Sequence, residues 1–206
     1  PQEVGAQLMN TTATRQGANR RAFVARLLSL TPDALVITGL GSAAYDVFAA
    51  GDRDQNYYLW GAMGGSTSLG LGLALAQPDK SVVVITGDGE QLMGIGSLGT
   101  IAVKQPKNLT IVVLDNGHFG ETGMQRSHSS LGTDLVAVAK GFGIADASST
   151  DTVESSDAIA ASIRARQGTR FVQVFIAADE PPRALPPRDG PYVKNRFRAA
   201  LGLKPF

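Results

Sequence analysis

The sequence predicts an α/β protein, a doubly wound parallel sheet with helices on both faces. Three observations predict it. Short apolar runs rich in β-branched residues alternate with longer stretches of helical spacing, the connections are brief, and glycine turns follow the apolar runs. At 206 residues, with 43% hydrophobic and 18% charged side chains, the chain is sized and composed for one domain with its own core.

The elements follow in order. Phe23, Val24, Leu27 and Leu28 have the spacing of a helix that leads into a strand at 34–38. Residues 42–49 and 65–76 read as helices, 81–86 as a buried strand, 95–103 as a helix and 109–114 as a second buried strand. A helix at 134–140 is followed by another at 153–166, for which Ser149, Thr150 and Asp151 are candidate caps, and 171–176 closes the set as a strand. Pro181, Pro182, Pro186 and Pro187 make 179–191 irregular and linker-like. Residues 192–203 read as a short basic helix docking on its own domain or a neighbour. The expected organisation is an extension at 1–19, a domain at 20–178 and a Pro-rich segment with a basic tail at 179–206.

Composition narrows the function. Nineteen basic against eighteen acidic side chains give a formal charge of +1, which offers no general attraction to nucleic acid or an anionic membrane. Zero cysteines exclude thiolate catalysis, disulfides and cysteine-held zinc. No apolar run reaches the roughly 18–20 residues of a membrane span, and no signal-peptide core is present; a cytoplasmic location is expected. Arg15, Arg20, Arg21 and Arg26 in an acid-free stretch resemble a transit peptide superficially, but the helical spacing favours an ordinary first helix.

In open α/β sheets ligands gather at the carboxyl ends of strands, so the turns there carry the chemistry. Gly39-Leu40-Gly41-Ser42-Ala43-Ala44 approaches a dinucleotide fingerprint, yet the acid that fingerprint requires is replaced by Tyr57, Tyr58, Leu59 and Trp60. Gly87-Asp88-Gly89 follows one buried strand, and Asp115-Asn116-Gly117-His118-Phe119-Gly120 follows the next. If those strands are neighbours, Asp88 and Asn116 bring two hard oxygen ligands to one point, as Mg²⁺ held partly by phosphate requires.

Gly87-Asp88-Gly89, twenty-five residues (90–114), then Asp115-Asn116 resembles the signature of thiamine diphosphate-dependent enzymes. Gly61-Ala62-Met63-Gly64 is similar to the segment underlying the cofactor in acetolactate synthases and related decarboxylases, and Thr38-Gly39-Leu40-Gly41-Ser42 to their diphosphate-side loop. The resemblance spans about residues 20–176, and Leu114-Asp115-Asn116 with Glu121-Thr122-Gly123 brings the sulfopyruvate and phosphonopyruvate decarboxylases nearest. It implies the diphosphate-binding domain of that fold, with thiamine diphosphate and Mg²⁺ as cofactors. The metal ligands would be Asp88, Asn116 and the backbone carbonyl of His118. Gly39, Gly41, Ser42, Gly87, the amides of Gly89 and Glu90, Phe119 and Gly120 would surround the diphosphate. Gly61 and Met63 would seat the aminopyrimidine and thiazolium. Asp115 replaces the usual first Asn, Glu90 a small residue whose side-chain role does not carry over, and Met124 a second Gly.

The resemblance implies further that the glutamate that activates the pyrimidine ring lies on a pyrimidine-binding domain. Glu3, Glu90, Glu121, Glu154 and Glu180 are the only glutamates, and none belongs to a second α/β unit. A partner chain of α-subunit type is therefore expected to supply it, within an oligomer. His118, Glu121 and His128 are the candidate catalytic groups for a small 2-oxo acid, with Gln125 and Arg126 in the same loop. Alternatives are a carboligase of acetolactate-synthase type, a non-catalytic cofactor-binding subunit and a dinucleotide oxidoreductase.

Overall fold

In a computed structural model the structure describes residues 17–204, so Glu3, Arg15 and most of the 1–19 extension lie outside the described residues. The chain runs α1 (Arg20–Ser29), β1 (Leu35–Thr38), α2 (Ser42–Ala49), β2 (Asn56–Tyr58), α3 (Ser66–Ala76), β3 (Val82–Gly87), α4 (Asp88–Met93), α5 (Ser97–Lys104) and β4 (Leu109–Asp115). There follow β5 (His118–Phe119), β6 (Gln125–Arg126), α6 (Leu135–Phe142), β7 (Asp146–Thr150), α7 (Ser155–Ala165), β8 (Arg170–Phe175) and α8 (Gly190–Ala200). Six strands form one sheet in the order β2-β1-β3-β4-β8-β7, every neighbouring pair parallel, while β5 and β6 make a small antiparallel hairpin.

Strand periodicity divides the core in two. Val36, Val83, Ile85, Val112, Leu114, Val172 and Val174 point to one face, where α1, α2 and α7 cover them with Phe23, Leu27, Val47 and Ile159 among others. Leu35, Ile37, Val82, Val84, Ile111, Val113 and Phe171 point to the other, beneath α3, α5, α6 and Phe197 of α8. Each fully buried aliphatic or aromatic side chain contributes about 1.5–3 kcal/mol, so burial on both faces is what makes these strands read as unbroken apolar runs. Helix starts are local: Asn19 accepts from the Ala22 amide at 2.9 Å and Asp134 from the Ala137 amide at 2.9 Å. α1 is tied to α2 by buried Arg20, whose Nε lies 2.8 Å from Oδ2 of buried Asp46.

Two strands of the six-stranded sheet, β2 and β7, escape the sequence pattern, as does the β5–β6 hairpin, and one expectation is corrected. Ser149 and Thr150 do not cap a helix; they lie in β7, paired with Gln173 and Val174 of β8. Satisfying the open edge of β8 along a whole strand outweighs one cap, and α7 begins later, at Ser155, without a side-chain cap. The Pro-rich stretch after β8 is irregular, as expected, but it does not behave as a free linker. It returns across the domain to α8, which packs against β2.

Sheet order also positions the site. The chain steps outward from β1 to β2 and back to β3, so the direction of winding reverses between β1 and β3. Thr38 pairs with Ile85 and Gly87 with Leu114, which aligns the turns after β1, β3 and β4 along one edge.

Candidate functional site

The three turns surround a cavity of about 350 Å³, a size typical of small-ligand sites. From the turn after β1 come Gly41 and Ser42, and from the segment before α3 come Trp60 and Met63. Gly87, Asp88, Gly89 and Glu90 line it from β3 and the start of α4; Asn116, His118, Phe119, Gly120 and Glu121 complete it from beyond β4. Gly39, Gly61 and His128 do not line it, although each adjoins residues that do. Gly39 sits under the β1 turn, Gly61 precedes Met63, and His128 stands edge-on to Phe119 with ring centroids 6.5 Å apart.

Close approach explains two of the glycines. A Cβ on Gly39 would lie 1.5 Å from Oε2 of Glu90, and one on Gly89 would lie 2.5 Å from Cε1 of Phe119. Glu90 thus reaches beneath the β1 turn, where its Oε2 accepts from the Leu40 amide at 2.8 Å. Burial pushes its carboxyl above the ordinary range, while the nearby Ser66 hydroxyl, the Leu40 amide and the Thr86 hydroxyl oppose the shift. The side chain is committed to the loop, which leaves the backbone amide for a ligand. Phe119 approaches Gly89 as closely and walls the cavity beside α4. Met63 is 42% exposed and lines the cavity, where its apolar side chain is available as a ligand's seat.

The acidic centre is equally specific. Asp88 is buried at the end of β3, with Ser127 donating to its Oδ2 and Ser129 Oγ 3.1 Å from the same atom. Asp115 accepts from the Gly117 amide at 2.8 Å, from Ser129 at 2.8 Å and from Gln173 at 2.6 Å. Those donors occupy Asp115 and turn it away from ligand duty. Asn116 is the half-buried side chain at the cavity, its Oδ1 accepting from the His118 amide at 3.0 Å. Burial first, and the charge of Asp115 second, push the Asp88 carboxyl up to about 6. Among the described residues lining the cavity none is Lys or Arg, so nothing basic offsets these acids from within.

A divalent cation fits this arrangement. It would supply the missing positive charge beside Asp88, and Asp88 with Asn116 offers hard oxygens rather than nitrogen or sulfur. No cluster of three or more His, Cys, Asp or Glu able to hold a metal occurs among the described residues. Two side-chain oxygens with the rest from phosphate and water are the pattern that Mg²⁺ adopts with phosphate ligands.

Residues 40–174 match the model of the thiamine pyrophosphate enzymes' C-terminal TPP-binding domain. The chain belongs to this family. It is 42% identical over 120 residues to the sulfopyruvate decarboxylase subunit beta of Methanocaldococcus jannaschii, covering 58% of this chain and 63% of that protein. It is 40% identical over 189 residues to the phosphonopyruvate decarboxylase of Streptomyces viridochromogenes, covering 90% of this chain and 47% of that protein. The chain therefore spans about half to under two thirds of the length of these relatives. Its fold is similar to that of the thiamine diphosphate-dependent 4-hydroxybenzoylformate decarboxylase of Rhodococcus jostii RHA1, with a TM-score of 0.66 at 22% identity over 84% of this chain and 35% of that one. Thiamine diphosphate is thus the cofactor of the family. No helix among the described residues is long and apolar enough to cross a membrane.

Several site residues escape the sequence. Ser127 and Ser129 bind the acidic centre, Tyr45 and Trp60 line the cavity, and Gln173 holds Asp115 from the neighbouring strand. Only the cluster of hydroxyls after Arg126 hinted at any of them. Arg126, by contrast, is exposed and spends its guanidinium on Ser130, away from the cavity lining.

Proposed function

We propose that this chain is the diphosphate- and Mg²⁺-holding part of a thiamine diphosphate-dependent decarboxylase for a small 2-oxo acid of the sulfopyruvate or phosphonopyruvate type. The observation that carries the reading is the placement of Asp88 and Asn116 side by side at the base of the cavity, on adjacent strand ends. Asp88 Oδ, Asn116 Oδ1 and the His118 carbonyl would hold Mg²⁺, and the amides of Gly89 and Glu90 would meet the diphosphate. Gly41 and Ser42 would close the diphosphate side, and Met63 would support the rings. When bound, thiamine diphosphate supplies the electron sink that lets the substrate carboxylate leave as CO₂.

The chain's own residues orient and shuttle protons. His118 Nδ1 lies 2.7 Å from the Asn116 carbonyl, which accepts only, so Nδ1 donates there and Nε2 is the ring nitrogen left for exchange. Any proton that His118 exchanges passes through Nε2. Glu121, on the opposite wall, lies 3.5 Å from the Tyr45 hydroxyl and 3.3 Å from the Arg183 guanidinium, which together hold it at the cavity's edge. His128 stands edge-on to Phe119, outside the cavity lining.

The activating glutamate would come from a pyrimidine-binding partner, a role supported by relatives whose own names read "subunit beta". The test is reconstitution. The purified chain, assayed with sulfopyruvate, phosphonopyruvate and pyruvate in the presence of thiamine diphosphate and Mg²⁺, should be silent and should release CO₂ and aldehyde once its co-purifying chain is added. Acetohydroxy-acid product in place of aldehyde would make it a carboligase, and no product in any combination would overturn the decarboxylase reading.

A further inference from the structure

Both relatives' substrates carry a second acidic group beyond the 2-oxo acid, and such a dianion needs a cation that the cavity lining does not provide. The ionisable side chains lining the cavity are Asp88, Glu90, Glu121, His118 and the Tyr45 phenol. Guanidinium groups near the cavity come from α1, where Arg20 is paired with buried Asp46, and from the Pro-rich strap that follows β8. Arg183 lies over Tyr45, 5.9 Å from the ring centre, but it is already paired with Glu121. Arg188 is different. Its guanidinium lies 5.3 Å from the centre of the Trp60 ring, and among the described residues it makes no ion pair.

The strap fixes Arg188 from both sides. The Pro187 carbonyl accepts from the Trp60 indole N–H at 2.9 Å, and Asp189 caps α8 by accepting from the Tyr192 amide at 3.0 Å. Trp60 itself lines the cavity and stands three residues before Met63. A guanidinium stacked on an aromatic face keeps its edge N–H groups free, and that planar fork matches the paired oxygens of a sulfonate or phosphonate. Arg188 also reaches the other aromatic wall electrostatically. The Tyr45 phenol is pushed up by burial and by Glu121, and the charges of Arg183 and Arg188 oppose the rise.

We infer that Arg188 recognises the second acidic group of the 2-oxo acid and thereby sets the preference for a sulfonate- or phosphonate-bearing substrate; the inference rests on the decarboxylase reading above. Arg20 is committed to buried Asp46, Arg126 to Ser130 and Arg183 to Glu121, whereas Arg188 has no charged partner among the described residues.

The test uses the assembled enzyme with its co-purified partner, thiamine diphosphate and Mg²⁺. Arg188→Ala should lower the ratio of kcat/KM for sulfopyruvate or phosphonopyruvate over kcat/KM for pyruvate by about tenfold or more, mainly through KM, and Arg188→Lys should restore part of it. Calorimetry with sulfoacetate against acetate gives a readout independent of turnover, and the same variant should weaken sulfoacetate alone. Melting curves and cofactor loading of both variants separate misfolding from lost recognition. An unchanged ratio with unchanged sulfoacetate affinity overturns the role of Arg188 and leaves the decarboxylase standing. Arg188-dependent sulfoacetate binding in an assembly that decarboxylates nothing supports the anion site and overturns the activity. Neither turnover nor Arg188-dependent binding sinks both.

Discussion

Asp88 and Asp115 share a hydroxyl: Ser129 Oγ lies 3.1 Å from Oδ2 of the first and 2.8 Å from Oδ1 of the second. Two carboxyl groups at the ends of neighbouring strands are thereby coupled, and the ionisation of one raises the cost of ionising the other. In the proposed reading a cation on Asp88 and Asn116 would relieve that cost, while Asp115 stays held by Gly117, Ser129 and Gln173.

The cost is measurable in Asp88→Asn. The folded-state carboxyl is pushed from an ordinary 3.8 up to about 6, so the folded protein binds this proton more tightly than the unfolded chain does. The associated stability is complete below 3.8 and is lost as pH rises through about 6. Without metal, Asp88→Asn should therefore be close to the parent near pH 4 and exceed it by up to about 3 kcal/mol at pH 7. The same variant should lose Mg²⁺-dependent cofactor binding. Melting curves across pH and calorimetry with thiamine diphosphate check the two halves.

Glu90 gives a second expectation. Glu90→Ala leaves the Leu40 amide without its acceptor, costing about 1–2 kcal/mol and loosening the turn that carries Gly41 and Ser42. Cofactor affinity should fall about tenfold, while Glu90→Gln, which keeps an oxygen there, should retain most of it. Equal losses in both variants would mean that the charge, rather than the hydrogen bond, holds the loop.

Gly89→Ala tests the close approach of Phe119. The added methyl would stand 2.5 Å from the ring, so Phe119 must swing out at a cost of about 1–3 kcal/mol. The variant should bind thiamine diphosphate poorly, and pairing it with Phe119→Leu should recover part of the lost stability. A double variant no more stable than Gly89→Ala would place the clash elsewhere.

The C-terminal helix responds to acid. Asp52 is partly buried, which raises its carboxyl, but hydrogen bonds from Arg196 and Tyr58 and the Arg196 charge outweigh burial and hold it below the usual 3.8. Arg196 Nη2 lies 2.8 Å from Asp52 Oδ1. This group's stabilisation is present above 3.8 and disappears as pH falls below it, so α8 should loosen in acid before the sheet does. Hydrogen exchange on α8 should show this, and Arg196→Ala should produce the same loosening at neutral pH.

The sequence made the buried strands and the turns at their ends legible, because β3 and β4 are apolar on both faces and lead directly into Gly87-Asp88-Gly89 and Asp115-Asn116, which meet at the cavity. It concealed the edges. β2 is only Asn56–Tyr58, and β7 reads Asp-Ala-Ser-Ser-Thr, since an edge strand bonded on one side needs no continuous apolar run. Ser149 and Thr150 looked like caps because hydroxyls favour caps locally, and only the presence of β8 alongside converts them into strand. Within the site, Asp88, Asn116 and Met63 were readable from motif and spacing. Ser129, Trp60 and Arg188 were not, because their roles arise from contacts between distant parts of the chain.

The strap has a consequence for how the protein comes into being. Trp60 and Pro187 are separated by 127 positions, whereas the acidic centre is built from residues 88–129 and a strand neighbour at 173. Contacts between remote segments close late, because the intervening chain must first be ordered. The floor of the cavity is therefore complete as soon as β8 docks, and the rim that bears Arg188 is added afterward. In the proposed reading, a nascent chain halted before the prolines would carry the Asp88 centre without Arg188, so discrimination among acids would be the last property that the domain acquires.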